Sequence, residues 1–239
     1  SFYTRGALIL ILGGKQSEIK QVAVITRSQQ FSKLLTSILA DWKFFAVEDL
    51  SAATVAFVER GVELPDHDVQ VVWLTSMPLE KGDFLTTPIS LSELYLLLQA
   101  HFFPTPRRNI RVAMEIPVEL KIESAWLEGQ LVSLSDRGGR LTCSREIPRG
   151  KELILEAKLA GEILRIPSEV LYCIPAGDSP SRLQPQIGVL FKPTNIEMFE
   201  QLKRFIEKTC IECACAREGI SLDDPCLSWL AIPVVNGTP

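Results

Sequence analysis

Residues 107–120 read Arg107-Arg108-Asn109-Ile110-Arg111-Val112-Ala113-Met114-Glu115-Ile116-Pro117-Val118-Glu119-Leu120. From Val112 onward an apolar residue occupies every second position, which is typical of a β-strand with one buried face. Further strand-like runs follow at about 126–134, 139–143, 152–159, 162–173 and 186–192, and glycines or the Pro/Gly/Ser-rich stretch 175–185 separate or interrupt them. Six short strands at this spacing predict a small antiparallel β-barrel.

A helix is predicted after the last of these strands. The residues Thr194-Asn195-Ile196-Glu197 match a capping box, in which the threonine caps the helix and the glutamate supports it. An apolar face at helical spacing follows, made of Ile196, Phe199, Leu202, Phe205 and Ile206. The second half is therefore predicted to be a barrel followed by a C-terminal helix.

The first half has a different pattern, in which strands and helices alternate. Short apolar runs predict buried strands at Val22–Ile25, Phe44–Val47 and Val69–Leu74. Helices are predicted from the N-cap Ser28 to Trp42, from Leu50 to the stop at Gly61, and after the capping box of Ser90 and Glu93. This alternation predicts a parallel α/β sheet.

A stiff break at Pro104-Thr105-Pro106 separates the two patterns. The sequence therefore predicts an α/β domain at 1–103 and a β-barrel domain with its helix and tail at 104–239. The earlier apolar run Ala7–Leu12 is expected to be a first strand rather than a signal peptide. No apolar run approaches the roughly 20 residues that span a membrane, so no membrane span is expected.

Charge is unevenly distributed along the chain. The formal net charge is −4, which argues against a partner that is a nucleic-acid polymer. Residues 105–151 hold nine Lys/Arg and six Asp/Glu, a balance of +3, which leaves −7 for the rest. A locally basic segment in an acidic chain favours a small anionic ligand.

Two features of the basic segment could form such a site. Arginines cluster at Arg107, Arg108 and Arg111, and the turn Ser133-Leu134-Ser135-Asp136-Arg137-Gly138 follows one strand pair later. Guanidinium groups pair with phosphate, stack on purines and donate two hydrogen bonds to the O6/N7 edge of guanine. Alone, however, such a cluster also fits a solvated surface or an interdomain salt bridge.

Together these residues resemble the PilZ domain, a bacterial receptor for cyclic di-GMP with the pattern RxxxR followed by (D/N)xSxxG. Four positions match: Arg107, Arg111, Ser135 and Gly138. The strand order and the segment Gln186–Phe191 before the helix are also similar, so that the resemblance covers about residues 105–210. It implies a non-catalytic, cyclic di-GMP-binding signalling protein.

The resemblance also assigns roles to residues. Arg107 and Arg111 would contact phosphate and guanine, and Arg108 would act as their neighbour. Ser135 would supply a hydroxyl, and Gly138 would let the backbone approach the ligand or adopt positive φ. Ser133 and Arg140 complete the expected ligand-binding set, the latter with Arg137 as a source of positive potential.

Ser133 departs from the family pattern, which has Asp or Asn against the guanine edge. Replacing a charge-assisted hydrogen bond by a neutral, shorter one is expected to cost about 1–2 kcal/mol, or about 5–30-fold in affinity. The chain is thus expected to bind cyclic di-GMP weakly. The alternative is a nucleotide-independent adaptor that binds an unidentified downstream protein.

The first half resembles a degenerate response-regulator receiver domain over about residues 20–103. Receivers have an acidic pair after the first strand, where this chain has Thr26-Arg27-Ser28, and Thr87 stands where they have Lys. The strand ending at Thr75 offers no phosphoacceptor Asp. Because Mg²⁺-assisted phosphoryl transfer needs anionic ligands, a scaffold or dimerisation role is expected instead.

Six cysteines without a secretory signal are typical of reduced thiols in a cytoplasm. Cys210, Cys213, Cys215 and Cys226 could bind Zn²⁺, but the irregular spacing favours packing, so no metal or cofactor is predicted. His67 and His101 lack a catalytic constellation, and no enzymatic activity is expected. The apolar tail Leu227–Val235 is expected to pack on the first half or, in a homodimer, on a second copy.

Overall fold

A computed structural model describes residues 20–159, 161–177, 183–192 and 194–233. The strand predicted at Ala7–Leu12 lies outside these ranges, as does the end of the predicted tail beyond residue 233. No helix in the described ranges is long and apolar enough to cross a membrane.

The first half forms a five-stranded parallel sheet with the order β2-β1-β3-β4-β5. Its strands are β1 Gln21–Ile25, β2 Phe45–Ala46, β3 Val55–Glu59, β4 Gln70–Thr75 and β5 Asp83–Thr86. The helices are α1 Gln29–Asp41 and α2 Leu91–Phe102. This strand order is the flavodoxin-like one, so the predicted α/β fold class is confirmed.

Two helix starts lie where the sequence predicts them. The Ser28 side chain accepts a hydrogen bond from the Phe31 amide at the start of α1, and Ser90 accepts one from the Glu93 amide at the start of α2. Both hydroxyls thereby satisfy backbone donors that have no partner within the helix.

The helix predicted from Leu50 to Gly61 is wrong. A short 3₁₀ turn at Leu50–Ala52 is followed by β3, the middle strand of the sheet. The run Val55-Ala56-Phe57-Val58 is entirely buried because both faces of β3 are covered. A short, unbroken apolar run carries no period that separates a strand from a helix. Gly61, with φ +88°, ends a turn after β3 rather than a helix.

The second half forms a closed six-stranded antiparallel barrel with the order β10-β11-β8-β7-β6-β9. The strands are β6 Val112–Ile122, β7 Ala125–Ser135, β8 Gly138–Cys143, β9 Glu152–Leu159, β10 Glu162–Ile174 and β11 Gln186–Phe191. Val118, Leu120 and Ile122 face the core of the barrel, and the glutamates between the apolar residues of β6 are exposed. The predicted barrel is therefore confirmed.

The C-terminal helix α3, Ile196–Glu218, follows the barrel as predicted, but its first turn differs from the prediction. Asn195, not Thr194, is the N-cap, and its side chain accepts a hydrogen bond from the Met198 amide at 3.0 Å. Ile196 is 79% exposed, so the buried face begins later, at Leu202 and Ile206.

Helix α3 contacts both halves of the chain. It packs on β6 and β7 of the barrel and along α1 of the first half. Near its end, Arg217 donates two hydrogen bonds to the Asp41 carboxylate at 2.7 and 2.8 Å. The helix therefore packs against both the barrel and the first half of the chain.

The segment after α3 packs on the first half, as expected for the tail. The Trp229 ring stacks on Phe31 of α1, with centroids 4.9 Å apart. Backbone hydrogen bonds join Ile89 to Trp229 at 2.7 Å and Ala231 to Ile89 at 2.9 Å. Leu227 and Leu230 are buried in the same place.

Candidate functional site

A cavity of about 480 Å³ opens on the outer surface of the barrel, beside the linker that precedes β6. Its walls come from the linker, the β7–β8 turn and strands β10 and β11. All seven predicted ligand-binding residues line it: Arg107, Arg108, Arg111, Ser133, Ser135, Gly138 and Arg140. Residues up to 83 positions apart in sequence thus contribute to a single concave site, because the barrel brings β10 and β11 beside the turn.

The strand register explains the shape of the cavity floor. Directly paired positions run across five strands in the order Ala113, Ser133, Arg140, Gly188, Tyr172. Residues paired in this way place their side chains on the same face of a sheet. Small residues at three of the five positions leave a shallow floor, and Arg140 and Tyr172 rise from it.

Five arginines line the cavity: Arg107, Arg108, Arg111, Arg137 and Arg140. No Asp or Glu is among the lining residues, and none of the five arginines forms an ion pair with another described residue. The interdomain salt bridge that such a cluster could have served is therefore not formed within the described ranges. Concentrated positive charge of this kind attracts a compact anion.

The field of the linker arginines reaches into the first half. Burial lowers the pKa of Lys20, and the positive charge of Arg107 lowers it further. Burial raises the pKa of Tyr95 on α2, and the charges of Arg107 and Arg111 oppose that rise. The charges of the linker arginines therefore act on side chains of the first half.

Two hydrogen bonds fix the linker backbone. The Arg107 amide donates to Oε1 of buried Gln99 on α2 at 3.1 Å. The Asn109 side chain donates to Oδ2 of Asp136 in the β7–β8 turn at 2.9 Å. Between these anchors Ile110 is buried. The linker is therefore held to α2 at Arg107 and to the β7–β8 turn at Asn109.

The turn residues Ser135 and Gly138 are tied to the barrel itself. The Ser135 hydroxyl is buried and donates to the Gly138 carbonyl at 3.0 Å. A Cβ on Gly138 would lie 2.2 Å from the Val189 carbonyl oxygen, and φ at this glycine is not positive. The prediction that Gly138 adopts positive φ is therefore wrong. The backbone at Gly138 does make a close approach, but its neighbour is the backbone of β11.

Arg137 connects this cavity with a second one of about 330 Å³. Its guanidinium lies 4.2 Å from the centroid of the Phe199 ring on α3, a cation–π contact. The neighbouring Asp136 has one buried oxygen, Oδ1, without a hydrogen-bond partner among the described residues. The turn thus faces the arginine-lined cavity on one side and α3 on the other.

Tyr172, Leu171, Asn109 and Gly188 also line or shape the site and were missed from sequence. The register of β10 shifts between Val170 and Tyr172, so that the extra residue Leu171 is extruded. As a result Leu171 and Tyr172 are both exposed although they are adjacent, each at 43%. A β-bulge leaves no clear mark in the alternation of a single sequence.

The carboxyl edge of the parallel sheet is occupied by Arg27. Its amide donates to Glu59 at 2.7 Å, and its guanidinium donates to Glu59 at 3.3 Å and to the Gly61 carbonyl at 2.7 Å. The middle strand of the sheet is β3, which ends at Glu59. The strand that ends at Thr75, compared above with the phosphoacceptor strand of receivers, is the next one, β4. Thr75 instead donates its hydroxyl to the Met77 carbonyl.

The C-terminal cysteines face different surroundings. Cys210, Cys215 and Cys226 are buried, whereas Cys213 is exposed. Burial raises the pKa of Cys210 and of Cys226 to about 12, so both thiols hold their protons at neutral pH. Across the described residues no three His, Cys, Asp or Glu side chains are grouped to hold a metal ion.

A family model for the PilZ domain matches residues 105–208. Among solved structures, the PilZ domain of CeSA from a cellulose-synthesizing bacterium is 20% identical, over 41% of this chain and 94% of that chain, with a TM-score of 0.33. The PilZ domain with c-di-GMP of YcgR from Escherichia coli is 14% identical, over 48% and 98% of the two chains, with a TM-score of 0.40.

The MrkH–c-di-GMP complex from K. pneumonia is 13% identical, over 46% of this chain and 54% of that chain, with a TM-score of 0.40. No curated protein matches the sequence. The family match begins in the arginine linker, spans all six barrel strands and ends within α3. Residues 105–208 of this chain are therefore a PilZ domain.

Proposed function

We propose that this protein is a non-catalytic effector that binds cyclic di-GMP in the cavity between the arginine linker and the β7–β8 turn. The observation that carries the proposal is the convergence of five arginines without ion-pair partners among the described residues on one cavity of a PilZ barrel. Cyclic di-GMP supplies two phosphates and two guanines, which are the groups that guanidinium recognises best. The cavity volume of about 480 Å³ is ordinary for a small-molecule site.

The arginines have distinct places around the ligand. Arg107 and Arg111 lie on either side of buried Ile110 and would close on the phosphates and on a guanine edge, with Arg108 beside them. Arg140 rises from the floor next to Ser133, so the opposite side of the ligand also meets a guanidinium.

The chemistry of the cavity supports binding rather than catalysis. The lining residues include no His, Cys, Asp or Glu, and the buried Ser135 hydroxyl already donates to a backbone carbonyl. No base therefore lies within the cavity lining to activate a nucleophile. At the sheet edge, Arg27 covers Glu59, which favours a scaffold role for the first half over phosphorylation.

The contacts of α3 also bear on how the chain divides. We propose two structural units that meet at residues 104–106, the sheet on one side and the barrel on the other. The segment after about residue 208, although it follows the barrel in sequence, packs on α1 through Arg217 and Trp229. The unit built on the sheet thus includes the C-terminal segment.

Isothermal titration calorimetry of the purified chain tests the ligand. We expect a dissociation constant between about 0.5 and 50 µM, the range of a site without the charge-assisted contact that the family pattern places at position 133. Arg111→Ala should raise it at least about tenfold through loss of one bidentate contact. Arg149→Ala, an exposed arginine of the barrel outside the cavity lining, is the matched control and should bind like the natural chain.

Two results would contradict the proposal. Absence of heat and of competition at about 100 µM ligand, well above the expected dissociation constant, would leave the nucleotide-independent adaptor as the better account. Equal affinity of the Arg111 and Arg149 variants would place binding elsewhere on the chain.

A further inference from the structure

Gly188 is flanked on the outer face of the barrel by two large side chains. It pairs directly with Arg140 of β8 on one side and with Tyr172 of β10 on the other. All three positions therefore point to the same face, and all three line the cavity. Tyr172 lies outside the PilZ pattern, which covers residues 107–111 and 133–138 of this chain.

The Tyr172 ring lies over Gly188. A Cβ on this glycine would stand 2.1 Å from Cε1, 2.4 Å from Cζ and 2.8 Å from Cδ1 of the tyrosine. The glycine is consequently buried beneath the ring, while Tyr172 itself remains 43% exposed. A ring supported by backbone on one side and open to a cavity on the other is pre-positioned for stacking.

Arg140 lies on the other side of Gly188 from Tyr172 and supplies hydrogen-bond donors to the same cavity. It stands directly opposite Ser133, whose short hydroxyl carries no charge, and makes no ion pair with another described residue. Its fork of donors is thus available to the cavity. In guanine, O6 and N7 are adjacent acceptors that match this fork, whereas adenine presents a donor at N6 beside N7.

We propose that Tyr172 and Arg140 form a guanine-binding subsite, in which one base stacks on the Tyr172 ring and Arg140 donates to its O6 and N7. This rests on the proposed binding of cyclic di-GMP. It assigns the selectivity for guanine to Arg140, in place of an acidic or amide side chain at position 133.

The assignment has a consequence for position 133. An aspartate there would stand directly across from Arg140 and form an ion pair with it, as opposite charges in paired positions do. Ser133→Asp should therefore weaken binding or leave it unchanged, although it restores the residue type of the family pattern. Ser133→Asn, which adds no charge, separates the effect of charge from that of size.

Calorimetry with cyclic di-GMP, cyclic di-AMP and cyclic di-IMP tests the subsite. Tyr172→Ala should lose about 10–100-fold in affinity for cyclic di-GMP, as loss of base stacking does, while Tyr172→Phe should stay within about threefold. Arg140→Lys keeps the charge but loses the fork, and should lose at least about fivefold and narrow the preference over cyclic di-AMP. Trp126→Ala, an exposed aromatic outside the cavity, is the matched control.

Cyclic di-IMP isolates the recognised edge, because hypoxanthine keeps O6 and N7 but lacks the 2-amino group. It should bind within about fivefold of cyclic di-GMP to the natural chain. Thermal melting confirms that each variant is folded.

The outcomes separate this subsite from the proposed function. Binding of cyclic di-GMP that survives in Tyr172→Ala and Arg140→Lys overturns the subsite and leaves the effector role intact. Restoration of tight binding by Ser133→Asp, or loss of cyclic di-IMP binding, overturns the assignment to Arg140. A natural chain that binds no cyclic di-GMP overturns both proposals.

Discussion

Replacing Trp229 by alanine should destabilise the sheet while leaving the barrel folded. The half-buried indole stacks on Phe31 with an interplanar angle of 20°, and its carbonyl accepts the Ile89 amide. A fully buried Trp→Ala change costs about 3–5 kcal/mol, and an aromatic pair adds about 0.5–1.5 kcal/mol to its burial. Because Trp229 is only partly buried, we expect a loss of about 2–4 kcal/mol in the free energy of unfolding.

Trp126→Ala serves as the matched change. Trp126 is 48% exposed on the barrel, and its ring contact is with the Lys121 ammonium, 5.7 Å from the centroid. A cation–π contact at an exposed site is worth about 0.5–1 kcal/mol, so this variant should lose less than about 1 kcal/mol. The comparison removes the same side chain from two different environments.

Urea unfolding followed by far-UV circular dichroism measures the loss, and hydrogen exchange locates it. Amides of α1 and β1 should exchange faster in Trp229→Ala, and those of the barrel strands should not, because locally weakened regions open separately. The reasoning fails if the two variants have equal midpoints. It also fails if the barrel amides are deprotected as much as those of α1.

Two further outcomes concern the barrel turn and the buried thiols. Gly138→Ala should lower the melting temperature by about 5–10 °C, since its Cβ would meet the Val189 oxygen and such overpacking costs about 1–3 kcal/mol; an unchanged melting curve would contradict the close approach. Cys210 should make the protein alkali-sensitive: burial raises its pKa to about 12, so stability is full below the unfolded value near 8.5 and declines by about 1.4 kcal/mol per pH unit above it. Between pH 8 and pH 10 the urea midpoint should therefore fall less in Cys210→Ala than in the natural chain. An equal fall in both proteins would contradict the raised pKa of Cys210.

Alternation identifies a strand wherever one face of that strand lies in water. In β6 the glutamates between apolar residues mark the exposed face, and the alternation fixes both the element and its orientation. In β3 the run Val55–Val58 is buried on both faces, so no period remains to identify it. Its assignment depends on the helices and strands that cover it, which are distant in sequence.

The same distinction applies to the candidate site. Arg107, Arg111, Ser135 and Gly138 could be found because they recur at fixed spacing within one short segment. Tyr172 and Gly188 enter the cavity only through strand pairing and a bulge in β10, neither of which a linear spacing records. Gly138 was identified as important, yet the contact that demands glycine is with β11, about 50 residues away.

Helix α3 also sets the mechanical behaviour of the molecule. Its 23 residues form a helix about 34 Å long, which contacts Arg137 of the barrel through Phe199 near one end and Asp41 of α1 through Arg217 near the other. A rotation of the barrel by about 10° about residues 104–106 would carry the far end of such a helix through about 6 Å. The Arg217–Asp41 contacts of 2.7 and 2.8 Å would not survive that movement. Any large rotation of one half against the other must therefore first detach or bend α3. Breakage of the Arg217–Asp41 contacts would be a measurable sign of that motion.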